Sequence, residues 1–105
     1  MRLEGLRTPC FLVDEKELKA NILDFQDALK NNFDKYIIGY SYKTNSLPYI
    51  INKVKELGCY AEVVSDTEYA LALEIGYDKK NIIFNGPIKG EEFFKSAVLA
   101  NIPVK

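Results

Sequence analysis

Short continuous apolar runs alternate along this chain with longer stretches whose apolar residues recur at helical spacing. Thr8-Pro9-Cys10-Phe11-Leu12-Val13 predicts a first short strand. Asp14 follows as a helix N-cap, with Glu17 three residues on as its capping-box partner. Leu18, Ile22, Phe25 and Leu29 then share one helical face, and the helix is expected to end near Asn31 and Asn32. Tyr36-Ile37-Ile38-Gly39-Tyr40-Ser41-Tyr42 predicts a strand. Ser46 is placed to cap the next helix, and Pro48 is tolerated in its first turn. Leu47, Ile51 and Val54 form that helix's inner stripe, and Gly58 is its stop. Tyr60-Ala61-Glu62-Val63-Val64 predicts another strand, and Ser65 with Glu68 a second capping box whose helix ends at Gly76. Asn81-Ile82-Ile83-Phe84 predicts a strand, Asn85-Gly86-Pro87 a turn, and residues 91–100 a last helix. Ile102-Pro103-Val104 would open one more strand.

Strands thus start near residues 36, 60, 81 and 102, a repeat of about 21–24 residues. Regular alternation of strand and helix implies a parallel sheet with right-handed crossovers. The fold class expected is therefore α/β. Two architectures use this repeat, an open doubly wound sheet and a (β/α)₈ barrel. The glycines at 5, 39, 58, 76, 86 and 90 nowhere form the G-x-G-x-x-G turn of the nucleotide-binding open sheet. A barrel needs eight units and about 250 residues. These 105 residues supply three units and a fourth strand, so the chain reads as the first part of a barrel. One domain, 1–105, incomplete as a barrel, is the economical count.

Composition narrows the chemistry. Fourteen basic residues nearly balance fifteen acidic ones, which gives no nucleic-acid footprint and no polybasic membrane patch. No apolar run approaches the roughly 20 residues that cross a bilayer, and the first residues lack the apolar core of a signal peptide. Cys10 and Cys59 are too few and too far apart for a disulfide framework, and read as small buried hydrophobes in a cytoplasmic protein. Histidine is absent, which removes the commonest general base and metal ligand. Catalysis would fall to lysine, carboxylates, hydroxyls or a cofactor.

Lys43 is the candidate that the pattern isolates. With period two, Ile37, Gly39, Ser41 and Lys43 share one face of their strand, and Ile38, Tyr40 and Tyr42 the other. The bulky face suits packing under helices. The small residues Gly39 and Ser41 leave room for a ligand. Lys43 follows at the carboxyl end, where α/β proteins bind ligands. A lysine at a strand end also commonly just reaches solvent. Glu62 is an acid inside an apolar run on the neighbouring strand, placed either to pair near Lys43 or to reach water. Tyr40 and Tyr42 read as packing residues, and Ser65 and Glu68 as helix caps.

Four blocks carry a resemblance to a known family. They are Thr8-Pro9 with Phe11-Leu12-Val13-Asp14; Tyr40-Ser41-Tyr42-Lys43-Thr44-Asn45-Ser46; Tyr60-Ala61-Glu62-Val63-Val64-Ser65 with Glu68; and Ile83-Phe84-Asn85-Gly86-Pro87-Ile88-Lys89. In order and spacing they resemble the start of the fold-type III pyridoxal-phosphate enzymes, in the branch of diaminopimelate and ornithine/arginine decarboxylases. The family's usual block has small or aliphatic residues at 41, 42 and 44, and often aspartate at 62. The resemblance implies pyridoxal 5'-phosphate as cofactor and Lys43 as the lysine that carries it as a Schiff base, with Ser41 and Glu62 beside it. It implies an amino acid substrate, decarboxylation, and a homo-oligomer. It also implies that the phosphate loop, the ring-stacking histidine and a second domain belong to later sequence, so that this chain alone is inactive. An alanine-racemase-like enzyme, a pyridoxal-phosphate carrier or a small non-catalytic α/β module are the alternatives.

Overall fold

A computed structural model describes residues 4–86 and 90–99 of the chain. Its first helix, α1 (Glu15–Asn32), starts where Asp14 accepts a hydrogen bond from Glu17 N–H, as the capping pattern predicts. Strand β1 (Gly39–Ser41) and helix α2 (Pro48–Glu56) follow, then β2 (Tyr60–Val63) and α3 (Asp66–Ile75). A single 3₁₀ turn, Lys79–Asn81, leads into β3 (Ile82–Phe84), and α4 (Glu91–Leu99) closes the described residues. The expected strand at 102–104, and Pro87 of the expected turn, lie outside the described residues.

The sheet is parallel throughout, in the order β1-β2-β3. Sequential order without a reversal is how a barrel begins, and it is equally the order of the first half of a doubly wound sheet, whose switch point comes with the fourth strand. The register aligns Ser41 with Glu62 and Glu62 with Ile83, so these three form one row on one face. The opposite face carries Tyr40, Ala61, Val63, Ile82 and Phe84, and it meets α2 through Ile51 and α3 through Tyr69 and Ala72 in one buried cluster. The Tyr69 and Phe84 rings meet at a tilt of 57°, their centroids 5.3 Å apart. A second cluster of Ile50, Val54 and Cys59 receives Leu18 and Ile22 from α1. Helices therefore cover one side of the sheet, and the row Ser41–Glu62–Ile83 stays on the other.

Turn chemistry agrees at the helix ends. Gly58 and Gly76 both adopt positive φ, +89° and +105°, where a Cβ would be strained. Ser65 accepts from Glu68 N–H at 3.2 Å. Glu68 returns to the N–H of Val64 rather than that of Ser65, one residue earlier than the ideal capping box.

Five expectations are corrected. Residues 8–13 form no strand, because no described strand lies beside them; Phe11 is fully exposed. The strand expected over 36–42 shrinks to Gly39–Ser41, since pairing exists only alongside β2, with single further bonds at Ile38 O and Tyr42 N. Ser46 does not cap α2: Leu47 is the N-cap, without a side-chain bond, and Asn45 Oδ1 instead accepts from Leu47 N–H. Phe25 and Leu47 lie off the buried stripes and are more than half exposed. Cys10 is exposed, because the segment holding it packs under nothing, whereas Cys59 is buried.

Candidate functional site

The site is built from the carboxyl ends of β1 and β2. Tyr42 fixes the first of these. It is 1% exposed, its ring meets Tyr40 and Tyr77 edge-on at 6.4 Å, and its N–H donates to Glu62 O at 3.0 Å. The bulky face of the expected strand is thus the one that packs under the helices. The next residue, Lys43, leaves the sheet in a turn and is exposed. Thr44 Oγ1 donates to Ser41 O at 2.9 Å across that turn. The backbone on either side of Lys43 is held, and its amine makes no hydrogen bond or ion pair among the described residues.

Ser41 and Glu62 stand next to each other on the face opposite the buried cluster under α2 and α3, and both are half-buried. No ion pair joins Glu62 to Lys43. Gly39 opens the same face: a Cβ there would press on Ile83 Cδ1 at 3.2 Å and on Glu62 Cβ at 3.7 Å. Sequence reasoning expected room at Gly39, and the structure shows that the neighbouring strands already take part of it. On the far side of the turn, Asn45 lines a groove of about 580 Å³ with Phe11, Val13, Leu47 and Ile50.

Loops after β2 and β3 are tied together at the same end of the sheet. Both carboxylate oxygens of Asp66 accept from Gly90 N–H, at 3.0 and 3.2 Å. Gly86 lies against the Val64 carbonyl so closely that a Cβ would overlap it. Sequence reading gave Asp66 no role. Its signal was an acid at the first position of a helix, which looks like an ordinary response to the helix dipole.

Titration follows burial elsewhere. Burial pushes the Tyr42 and Tyr77 phenols well above their ordinary values. Burial also pushes the Cys59 thiol up. At the surface, a hydrogen bond from Tyr49 and the nearby Lys53 ammonium hold Glu15 below the usual carboxylate range. Among the described residues no cluster of His, Cys, Asp and Glu could hold a metal ion. No described helix is long and apolar enough to cross a membrane.

A parallel strand–helix repeat in sequential strand order is how a barrel opens, and Lys43 stands just past the carboxyl end of its first strand. Residues 18–104 match the family described as pyridoxal-dependent decarboxylase, pyridoxal binding domain, and the chain belongs to that family. It is 32% identical over 103 residues to diaminopimelate decarboxylase of Methanocaldococcus jannaschii, covering 94% of this chain and 24% of the relative. It is 38% identical over 80 residues to the probable chloroplastic diaminopimelate decarboxylase of Oryza sativa subsp. japonica, covering 76% of this chain and 16% of the relative. The crystal structure of diaminopimelate decarboxylase from Helicobacter pylori complexed with L-lysine superposes with a TM-score of 0.81 at 30% identity, covering 97% of this chain and 26% of that one. The chain spans about a quarter of the length of the M. jannaschii and H. pylori proteins. The expectation of a barrel's first part, drawn from the count of strand–helix units, agrees with that span.

Proposed function

We propose that this chain forms the opening strands of the pyridoxal-phosphate barrel of an amino acid decarboxylase, most like diaminopimelate decarboxylase, with Lys43 as the residue that holds the cofactor. The observation that supports it most directly is the unengaged Lys43 amine on a turn pinned at Ser41 and Tyr42. The residues present fit the group in two ways. A primary amine is exposed at the carboxyl end of a parallel sheet, and a hydroxyl and a carboxylate stand together on the uncovered face beside it. When bound, pyridoxal phosphate supplies an aldehyde that condenses with amines and a ring that takes up the electron pair left by loss of carbon dioxide.

Each residue has a distinct task in that reading. Lys43 presents its amine without an ion pair that would first have to break. Glu62, half-buried, holds a carboxylate one strand away, placed to accept a proton or a hydrogen bond on that face. Ser41 adds a donor and acceptor in the same row. Tyr42, on the opposite face, contributes no chemistry and anchors the strand end in the core. The substrate is an amino acid, the protein works in the cytoplasm, and it assembles as a homo-oligomer. The 105 residues alone, which hold the anchor without histidine, turn nothing over.

Reduction with borohydride in the presence of pyridoxal 5'-phosphate, followed by peptide mass mapping of the full-length protein, tests the assignment. A pyridoxyl group on Lys43 is expected. Modification of another lysine with Lys43 untouched would sink it. Release of carbon dioxide from diaminopimelate, compared with ornithine and arginine, tests the substrate.

A further inference from the structure

The turn that carries Lys43 is closed by the side chain next to it. β1 makes its last ladder bond at Tyr42, whose N–H donates to Glu62 O. The next N–H along β2, that of Val64, does not return to β1 but donates to Glu68 Oε1 at 3.2 Å. The ladder stops there, and the chain after Tyr42 is free to leave the sheet. Thr44 folds its hydroxyl back onto Ser41 O at 2.9 Å, and Asn45 Oδ1 takes the Leu47 N–H at 3.1 Å. Lys43 lies inside the first of these two local bonds and just before the second.

We propose that Thr44 is a positioning residue that holds the backbone of Lys43 in the cofactor-ready turn. The proposal rests on the reading of Lys43 as the cofactor lysine. Thr44 touches no reacting atom; it acts through the main chain. Ordering a residue's backbone costs conformational entropy. A turn already closed by a side chain meets that cost before the ligand arrives, which is preorganisation. A threonine suits the task for two reasons. Its hydroxyl reaches a carbonyl three residues back, and its β-branch restricts χ1 so that little freedom is lost in the bond. An aliphatic residue of the same shape would keep the branch and lose the closure.

The test uses the full-length protein with Thr44→Val and Thr44→Ser. Pyridoxal 5'-phosphate is titrated, and the fraction of Lys43 modified after borohydride reduction is read by peptide mass. Amide hydrogen exchange of residues 42–47 is followed without the cofactor. In Thr44→Val the half-saturating concentration should rise about three- to tenfold, the worth of one hydrogen bond. Exchange in residues 42–47 should quicken while β2 and β3 exchange as in the wild type. Thr44→Ser should restore both. Equal labelling of wild type and Thr44→Val, unchanged exchange, or a serine variant that behaves like valine overturns the role of Thr44 and leaves the lysine assignment standing. No label on wild-type Lys43 overturns both.

Discussion

Replacing Tyr42 by phenylalanine should stabilise the protein, although Tyr42 lies one residue from the candidate lysine. Tyr42 and Tyr77 are 1% and 5% exposed, and neither hydroxyl has a hydrogen-bond partner among the described residues. Their rings meet edge-on at 6.4 Å, so each ring is well used while its hydroxyl is not. A buried hydroxyl without a partner costs about 1–3 kcal/mol of desolvation. Phenylalanine keeps the ring and removes that cost, so Tyr42→Phe should gain on the order of 1 kcal/mol. Tyr42→Ala removes the ring as well and should lose about 3–5 kcal/mol. The assay is amide hydrogen exchange at Tyr40 and Tyr42 in the full-length protein, which reports the local opening free energy of β1. The double variant with Tyr77→Phe completes a cycle. If both hydroxyls are unpartnered, the two gains add within about 0.5 kcal/mol. If they bond each other, each single variant strands the other hydroxyl and destabilises, and the double variant recovers. That second pattern would refute the reasoning.

Alkaline pH should unfold the protein through the same pair. Their folded pKa values lie above the ordinary value near 10, so above that pH the unfolded state releases protons that the folded state keeps. Stability should be level below about pH 10 and fall above it by about 1.4 kcal/mol per pH unit for each phenol; Tyr42→Phe should lessen the slope, and an unchanged slope in the double Phe variant would contradict the assignment. Gly86→Ala should cost roughly 1–3 kcal/mol or more, because its Cβ would meet the Val64 carbonyl oxygen and lie 2.9 Å from the carbonyl carbon, both backbone atoms; a wild-type melting temperature would show that the loop yields. Asp66→Ala should free the Gly90 amide and cost about 1–2 kcal/mol, with Asp66→Asn keeping part of the bond; unchanged exchange at Gly90 in the alanine variant would remove the clamp between the two loops.

The elements that the sequence disclosed best are those whose cues are local. Asp14, Ser65, Gly58 and Gly76 act within a turn of their own neighbours, and each does what its residue type allows. The two-residue period of Tyr40 and Tyr42 likewise placed the covered face of the sheet before any partner strand was known. What failed depended on distant partners. Phe11, Leu12 and Val13 have the composition of a strand, but a strand exists only where another lies beside it. Ser46 has the chemistry of a cap, yet Asn45 takes the turn first, two residues from Leu47, where its side chain reaches an N–H with less distortion. Asp66 and Gly90 sit 24 positions apart, and nothing in either residue type announces the other.

The same contrast explains why Lys43 could be singled out while its surroundings could not. Its position follows from strand direction, and strand direction follows from the alternation of strand and helix. The surroundings of the position are not periodic. Tyr42 is locked behind the sheet, the ladder ends at Val64, and the turn closes on Ser41. Each of these comes from a different segment: Tyr77 beyond the end of α3, Glu68 at its start, and Thr44 in the turn itself. Two of the three lie at the ends of one helix, so α3 holds the strand carrying Lys43 at one end and stops its ladder at the other. Lys43 itself is exposed on the turn, and its amine makes no hydrogen bond or ion pair among the described residues.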